Sequence, residues 1–210
     1  MKPPLHSKDI EIADRRLNCI PAQIKELAKA QMSVAEGKIF PADLYTIAAL
    51  NRTWTNFEAF IALLELRNMS ALRTLARVQI DTLARYHAMW LVDEPHELAT
   101  RVMSGERIDK IKDKNNKRMN DFYLVNSLSS DCEWLPEVYK NLCGYVHFSS
   151  RHISAAVEKI NEDTIHFNIS GDDDRYPESS WIEIRDCFSE SAENLFRYIN
   201  GWVKTKDIVG

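Results

Sequence analysis

The sequence predicts an all-α fold, a single helical bundle of about six to eight helices with one small β-hairpin near residues 156–170. Apolar residues recur at helical spacing along most of the chain, and they make up 45% of its 210 residues. Only 6 glycines and 7 prolines are present, too few turn-forming residues for a β-sandwich or barrel. The length fits one domain that spans residues 1–210.

The predicted order along the chain is N-terminal helices 8–36, core helices 41–104, a basic segment 106–121, a His-bearing helical region 131–155, the hairpin 156–170 and a C-terminal helix 180–204. Ser7 is a candidate cap for the first helix, in front of residues such as Ile10 and Leu17 at helical spacing. Pro21 interrupts this run, so it either kinks one helix or opens a second.

The core helices begin at Pro41 and restart at Ser70, and Gly105 ends the last of them. The basic segment that follows carries six basic and two acidic side chains between Arg107 and Arg118. Its first half has a helical pattern, while its Lys-Asn-Asn-Lys stretch is typical of a loop tip. This segment is a candidate contact for an RNA backbone.

The last third of the chain contains two candidate capping boxes, Ser130-x-x-Glu133 and Ser180-x-x-Glu183. Between the helices that they would start, β-branched residues alternate on both sides of the tripeptide 161–163, a pattern that predicts a hairpin. The C-terminal helix carries a wide apolar stripe: Trp181, Ile184, Phe188, Ala192, Leu195, Phe196, Ile199 and Trp202.

Composition limits the classes of function. A net charge of −4 and a pI near 5.9 argue against coating nucleic acid through bulk charge, although a local basic patch remains compatible. No Gly-rich phosphate loop is present, and we expect no cofactor. Four cysteines without a C-x-x-C pair indicate reduced thiols in a cytoplasmic protein. We expect no signal peptide and no membrane-spanning helix.

The second predicted core helix, the central one, carries four charged residues spaced by four: Arg73, Arg77, Asp81 and Arg85. They form one stripe, because residues four apart are neighbours on a helix. The rest of this helix is nearly all apolar or small, so we expect the helix to be surrounded and the stripe to be partly buried. Two interpretations remain open, a structural ion ladder in which Asp81 pairs with Arg85 and can share its carboxylate with Arg77, and an arginine groove that binds anions.

The stretch Cys143–His152 admits three interpretations. Cys143 and His147 lie one helical turn apart, a spacing that fits one Zn²⁺. No second pair follows at a familiar spacing, so we expect no metal site. A second interpretation is a buried neutral His147 that bonds to Asp81 or to a backbone carbonyl, with Tyr139 and Tyr145 packed around it.

The third interpretation is a metal-independent ribonuclease. Such an enzyme needs a general acid or base with a pKa near 7, together with a cation for the charge of the phosphorane. The predicted catalytic residues are His147, Arg151, Arg77 and Asp81. The predicted substrate-binding residues are Lys140, Arg73, Arg85, Tyr145 and His152.

This combination of an all-α bundle, a His on a late helix and an arginine stripe on a central helix resembles the HEPN superfamily. That resemblance implies compact helical domains of prokaryotic toxin and phage-defence systems, many of which are metal-independent endoribonucleases. The family signature is an Arg a few residues before a His, and the two sites of a homodimer meet in one cleft. His147 matches the family His, whereas Lys140 stands where the Arg is expected and lacks its bidentate contact.

Two functions are therefore predicted. One is a HEPN-like endoribonuclease or effector of a prokaryotic defence or toxin system that acts on RNA. The alternative is a non-catalytic helical binding, adaptor or immunity module in which the His, Arg and Asp residues form a structural network. The expected partners are a second copy of the chain, RNA and a protein from the same operon.

Overall fold

The architecture is a helical bundle, seen in a computed structural model that describes residues 7–147, 149–160, 164–167, 169 and 173–207. In this part of the chain, nine α-helices hold more than half of the residues and two short strands form one sheet. The predicted all-α class is confirmed. No helix within the described ranges combines the length and apolar character needed to cross a bilayer.

The helices are α1 (Lys8–Asn18), α2 (Ile20–Ser33), α3 (Pro41–Glu65), α4 (Met69–His87), α5 (Pro95–Met103), α6 (Asp121–Ser127), α7 (Leu135–Val146), α8 (Ser150–Ala156) and α9 (Glu178–Asp207). Short 3-10 turns lie at Ala35–Gly37, Ala88–Trp90 and Ile108–Lys110. Strands β1 (Val157–Ile160) and β2 (Ile165–Phe167) pair antiparallel, as the alternating pattern predicts. The predicted turn 161–163 lies outside the described residues.

Several helix starts follow from side chains that bond to the backbone. The Ser7 hydroxyl accepts a hydrogen bond from the Ile10 amide at 3.2 Å, so the predicted cap of α1 is confirmed. Pro21 lies in the first turn of α2 and therefore opens a second helix. α4 begins before the predicted Ser70, because Asn68 Oδ1 accepts from the Ala71 amide at 2.9 Å.

Both predicted capping boxes are wrong. α7 begins at Leu135, with Trp134 rather than Ser130 at its cap position and no side-chain cap bond. α9 begins at Glu178, so Ser180 already lies within its first turn. A Ser-x-x-Glu motif marks a helix start only where the Ser backbone is extended and its hydroxyl reaches a free amide. Helix α6 has no counterpart in the predicted segments.

α4 is the central helix, and it packs against α3, α6, α7 and α9. One face of α4 is fully buried, at Leu72, Ala76, Ile80 and Leu83. The prediction that this helix is surrounded is confirmed, and its charged residues are consequently held against neighbouring helices.

The long helix α9 packs against α1, α2 and α4. Its predicted apolar stripe is buried from Trp181 to Ile199. The ring centroids of Phe188 and Phe60 lie 4.4 Å apart, so α9 and α3 also meet in the core.

A buried carboxylate ties the start of α3 to α2 and α9. Asp43 Oδ1 accepts from Gln31 Nε2 at 2.6 Å and from Trp202 Nε1 at 2.9 Å. Asp43 Oδ2 accepts from the Phe40 amide at 2.8 Å and from Lys206 Nζ at 2.9 Å. Burial acts to raise the pKa of Asp43, but the bonds to Phe40, Lys206 and Trp202 outweigh it and hold the pKa below its usual value.

Candidate functional site

Arg77, a predicted catalytic residue, is fully engaged between α4 and α7. Its Nη1 forms an ion pair with Asp81, Nη2 donates to the Tyr139 hydroxyl, and Nε donates to Cys143 Sγ at 3.5 Å. Only 8% of its side chain is exposed. The guanidinium carbon lies 3.5 Å from the centroid of the Tyr139 ring, so the planar group stacks on that ring.

The protonation states of this cluster are fixed at neutral pH. Burial acts to lower the pKa of Arg77, but the bonds to Asp81 and Cys143 and the negative charge of Asp81 together outweigh it, and the pKa lies above its ordinary value. Burial raises the pKa of Tyr139 to about 12. At neutral pH the Tyr139 hydroxyl therefore stays protonated and the Arg77 guanidinium stays charged, as a structural bond requires.

Arg73 makes a second connection between α4 and α7. Its guanidinium carbon lies 4.8 Å from the ring centroid of Tyr145 and 4.6 Å from that of Tyr176. It also donates to the Tyr145 hydroxyl. Arg73 and Arg77, one turn apart on α4, thus bond to Tyr145 and Tyr139 on α7, and we call these four residues the arginine–tyrosine ladder.

The C-terminal half of the charged stripe, Asp81 and Arg85, reaches a different part of the bundle. Asp81 pairs with Arg77, as predicted, but the predicted pairing of Asp81 with Arg85 is wrong. Arg85 instead forms an ion pair with Asp121 of α6 at 2.9 Å, with 47% of its side chain exposed. This choice of partners depends on tertiary packing. Helix α6 places Asp121 beside Arg85, whereas α7 packs against α4 next to Arg77.

Asp81 and Arg85 line a cavity of about 470 Å³, which we call the arginine cavity. Arg52 and Arg107 line it as well. Arg52 donates to the Thr82 hydroxyl at 3.0 Å and forms no ion pair with a described carboxylate. Of the two predicted interpretations of the stripe, the ion ladder applies to Arg77, whereas Arg85 lies beside a cavity that arginines line.

His147 directly follows the last residue of α7. Its amide bonds to the Cys143 carbonyl at 3.2 Å, while its side chain is exposed and has no hydrogen bond or ion pair with any described residue. The interpretation of His147 as a buried imidazole is therefore wrong. No bond within the described ranges joins it to Arg77 or Asp81.

The buried histidine of the described chain is His87, at the end of α4. Neither of its ring nitrogens has a hydrogen-bond partner among the described residues. Its ring centroid lies 4.9 Å from that of Tyr198, whose hydroxyl donates to Asp131 at 2.5 Å. Burial lowers the pKa of His87 to about 4, so the ring is neutral at pH 7.

The remaining predicted site residues lie near the end of α7 and in α8. His152 is half-buried, its ring centroid lies 6.0 Å from that of Tyr145, and its Nδ1 accepts from the Ser149 amide at 3.4 Å. Lys140 is exposed on α7. Arg151 belongs to α8, but its side chain lies outside the described part of the structure.

The structure thus brings Arg73 and Arg77 together with aromatic residues of α7 rather than with His147. From the sequence, Tyr139 was expected only to pack around His147, and Tyr176 had no expected role. Local spacing signalled only part of the ladder, because Arg73 and Arg77 lie one turn apart, as do Tyr139 and Cys143, the two residues of α7 that bond to Arg77. Among the described residues, no three His, Cys, Asp or Glu side chains converge as metal ligands would.

Similarity to known proteins does not assign a function to this chain. No protein-family model matches the chain, and neither a curated protein nor a solved structure does.

Proposed function

We propose that this chain is a non-catalytic helical binding module of the adaptor or immunity type. The observation that carries the proposal is the engagement of Arg77. A cation that stabilises a phosphorane must direct N–H groups at the substrate. Each nitrogen of Arg77 already faces a protein partner, Asp81, Tyr139 or Cys143, and the side chain is almost fully buried.

The position of His147 supports the same proposal. A general base works together with groups that orient it and that stabilise the charge it creates. In a single copy, the exposed His147 imidazole has neither Arg77 nor Asp81 as a bonded partner. Of the predicted catalytic residues, Arg77 and Asp81 therefore form an internal ion pair, whereas His147 is a surface imidazole.

A nuclease assay tests this proposal. The purified chain and the variant His147→Ala are incubated with end-labelled single-stranded and hairpin RNA, in Mg²⁺ and in EDTA. We expect intact RNA in every reaction. Cleavage by the wild type that the variant lacks would overturn the proposal, and the variant also controls for a contaminating nuclease because both proteins are purified in the same way.

A second candidate is the metal-independent endoribonuclease that the HEPN resemblance implies, acting on RNA in a prokaryotic defence or toxin system. The exposure of His147 favours it, because a catalytic imidazole has to reach solvent and substrate. In that family the sites of two copies meet, so a second copy would supply the cation that His147 lacks here.

For this second candidate, RNA phosphates would bind at the arginine cavity. Arg52 is exposed there without a carboxylate partner among the described residues, whereas Arg85 and Arg107, which also line the cavity, pair with Asp121 and Asp109. The planar guanidinium fork donates two hydrogen bonds to phosphate at once.

Light scattering at micromolar concentration separates the two candidates further. The nuclease requires a dimer mass, EDTA-resistant cleavage and a loss of about 10²–10⁴ in rate for His147→Ala. A monomer mass together with intact RNA counts against the nuclease and leaves the binding module as the function.

A further inference from the structure

A second groove, of about 500 Å³, lies between α7 and α9, and we call it the α7/α9 groove. Trp134, at the cap position of α7, lines it together with Val138 and Leu142 of α7 and Ile184 of α9. Trp134, Val138 and Leu142 are spaced by four, so they form one apolar row along this side of α7. The row covers roughly 12 Å at 1.5 Å per residue, a length that matches about two turns of a partner helix.

The α9 side of this groove is acidic. Glu183, Asp186 and Glu190 line it. Asp186 lies 3.6 Å from Arg16, but the carboxylates of Glu183 and Glu190 have no ion pair or hydrogen bond with any described residue. Among the described residues the one cation in the lining is Arg73, which the arginine–tyrosine ladder holds.

The spacing of Glu183 and Glu190 also specifies the spacing of basic residues that would match them. Glu183 and Glu190 are seven residues apart on α9, about two helical turns, so their carboxylates lie on similar sides of the helix. Basic residues seven apart on a partner helix would match them. Trp134, which lines the groove, also has a buried Nε1 without a hydrogen-bond partner in the described part of the chain.

We propose that the α7/α9 groove binds a basic amphipathic helix of a partner protein, an inference that rests on the proposed function as a binding module. The partly exposed Trp134 and Val138 would contact the apolar face of that helix above the buried Leu142, and Glu183 and Glu190 would pair with its Lys or Arg side chains. Nucleic acid is a poor occupant because the acidic side repels phosphate.

Fluorescence anisotropy with a labelled synthetic peptide tests the proposal. The probe is a three-heptad helix with Leu at its a and d positions and Lys at most others, and a matched peptide carries Glu in place of Lys. We expect the Lys peptide to bind and the Glu peptide not to bind. In the double variant Glu183→Lys/Glu190→Lys, we expect the Lys peptide to bind about tenfold more weakly or worse, and the Glu peptide to gain affinity.

The chain offers a closely matched control. Glu58 and Glu65 are also seven apart, on the exposed face of α3, and they line none of the grooves described here. The variant Glu58→Lys/Glu65→Lys makes the same change in net charge, so we expect it to bind the Lys peptide as the wild type does. Equal losses in the two double variants would mean non-specific attraction and would overturn the proposal.

The nuclease assay distinguishes failure of this inference from failure of the proposed function. If the wild type does not bind the Lys peptide and leaves RNA intact, the groove proposal is overturned and the binding-module proposal stands. If the wild type cleaves RNA in a His147-dependent way, the binding-module proposal itself is overturned.

Discussion

The guanidinium of Arg77 on the central helix stacks on the ring of Tyr139 on α7, with 3.5 Å between the guanidinium carbon and the ring centroid. The same guanidinium donates to the Tyr139 hydroxyl and pairs with Asp81. A desolvated cation–π contact contributes about 2 kcal/mol, and the ion pair adds to it. The arginine predicted to serve catalysis therefore acts mainly to hold α7 on the bundle.

Replacing Arg77 should destabilise the fold strongly. In Arg77→Met, Asp81 loses its partner while still largely buried, and we expect a loss of about 3–5 kcal/mol in the free energy of unfolding. Urea denaturation followed by far-UV circular dichroism measures it. The control is Arg85→Met on the same helix, whose half-exposed pair with Asp121 contributes less than about 1 kcal/mol. Similar losses in both variants would contradict the assignment of the ladder.

Replacing the buried Asp43 should destabilise the fold to a similar extent. In Asp43→Asn, the new side-chain N–H₂ group faces either the Phe40 amide and Lys206 or Gln31 and Trp202. In both orientations hydrogen-bond donors face other donors. We expect a loss of about 3–5 kcal/mol at pH 7. Because the folded pKa of Asp43 lies below its usual value, its contribution is present at neutral pH and is lost as the pH falls through the folded pKa.

The control for Asp43 is Glu36→Gln, which makes the same chemical change in the exposed pair with Lys38. A surface pair of this kind contributes at most about 1 kcal/mol. If Asp43→Asn unfolds at the same urea concentration as the control, the network does not stabilise the start of α3 as described.

His87 should make stability fall in mild acid. In the unfolded chain its pKa is about 6.5, whereas burial lowers the folded pKa to about 4. Between these values the unfolded state binds more protons, so stability rises with pH across that window. The shift corresponds to roughly 3 kcal/mol lost between pH 7 and pH 4.

The variant His87→Phe tests this dependence through urea denaturation at several pH values. Both ring nitrogens of His87 lack hydrogen-bond partners among the described residues, so the apolar ring should cost little at pH 7 and should flatten the pH profile. The exposed His166→Phe is the control and should retain the wild-type profile. An unchanged profile in His87→Phe would exclude His87 as the cause.

The cysteines should differ sharply in reactivity. Burial raises the pKa of Cys132 to about 11 and that of Cys187 to about 12, so both are almost entirely protonated at pH 8. Cys19 is exposed between α1 and α2. Titration of the native chain with a thiol-specific disulfide reagent should show a fast phase that Cys19→Ser removes. A fast phase that survives in this variant and disappears in Cys187→Ser would contradict the raised pKa of Cys187.

Replacing His147 should leave the fold unchanged. The side chain is exposed and unbonded within the described structure, so His147→Ala should alter the free energy of unfolding by less than about 0.5 kcal/mol. A melting temperature that matches the wild type makes this variant a clean test in the nuclease assay. A marked drop would mean that His147 has a structural partner.

Helix periodicity predicted the fold class because a buried helix face needs apolar residues at fixed spacing, whatever lies opposite it. The same logic identified α4 as a surrounded helix. Helix starts were less predictable: the Ser-x-x-Glu motifs at Ser130 and Ser180 failed, because a cap depends on the backbone of the preceding residue. The seven-residue α6 is too short to show a period.

The sequence by itself determined the helical class, the central position of α4 and the spacing that makes Arg77 a neighbour of Asp81, because these depend on residues within one or two turns. Only the tertiary structure decided that His147 is exposed while His87 is buried. It likewise decided that Asp43 meets Lys206, 163 residues later. The physical reason is that burial and pairing depend on which distant elements pack together, and local spacing does not contain that information.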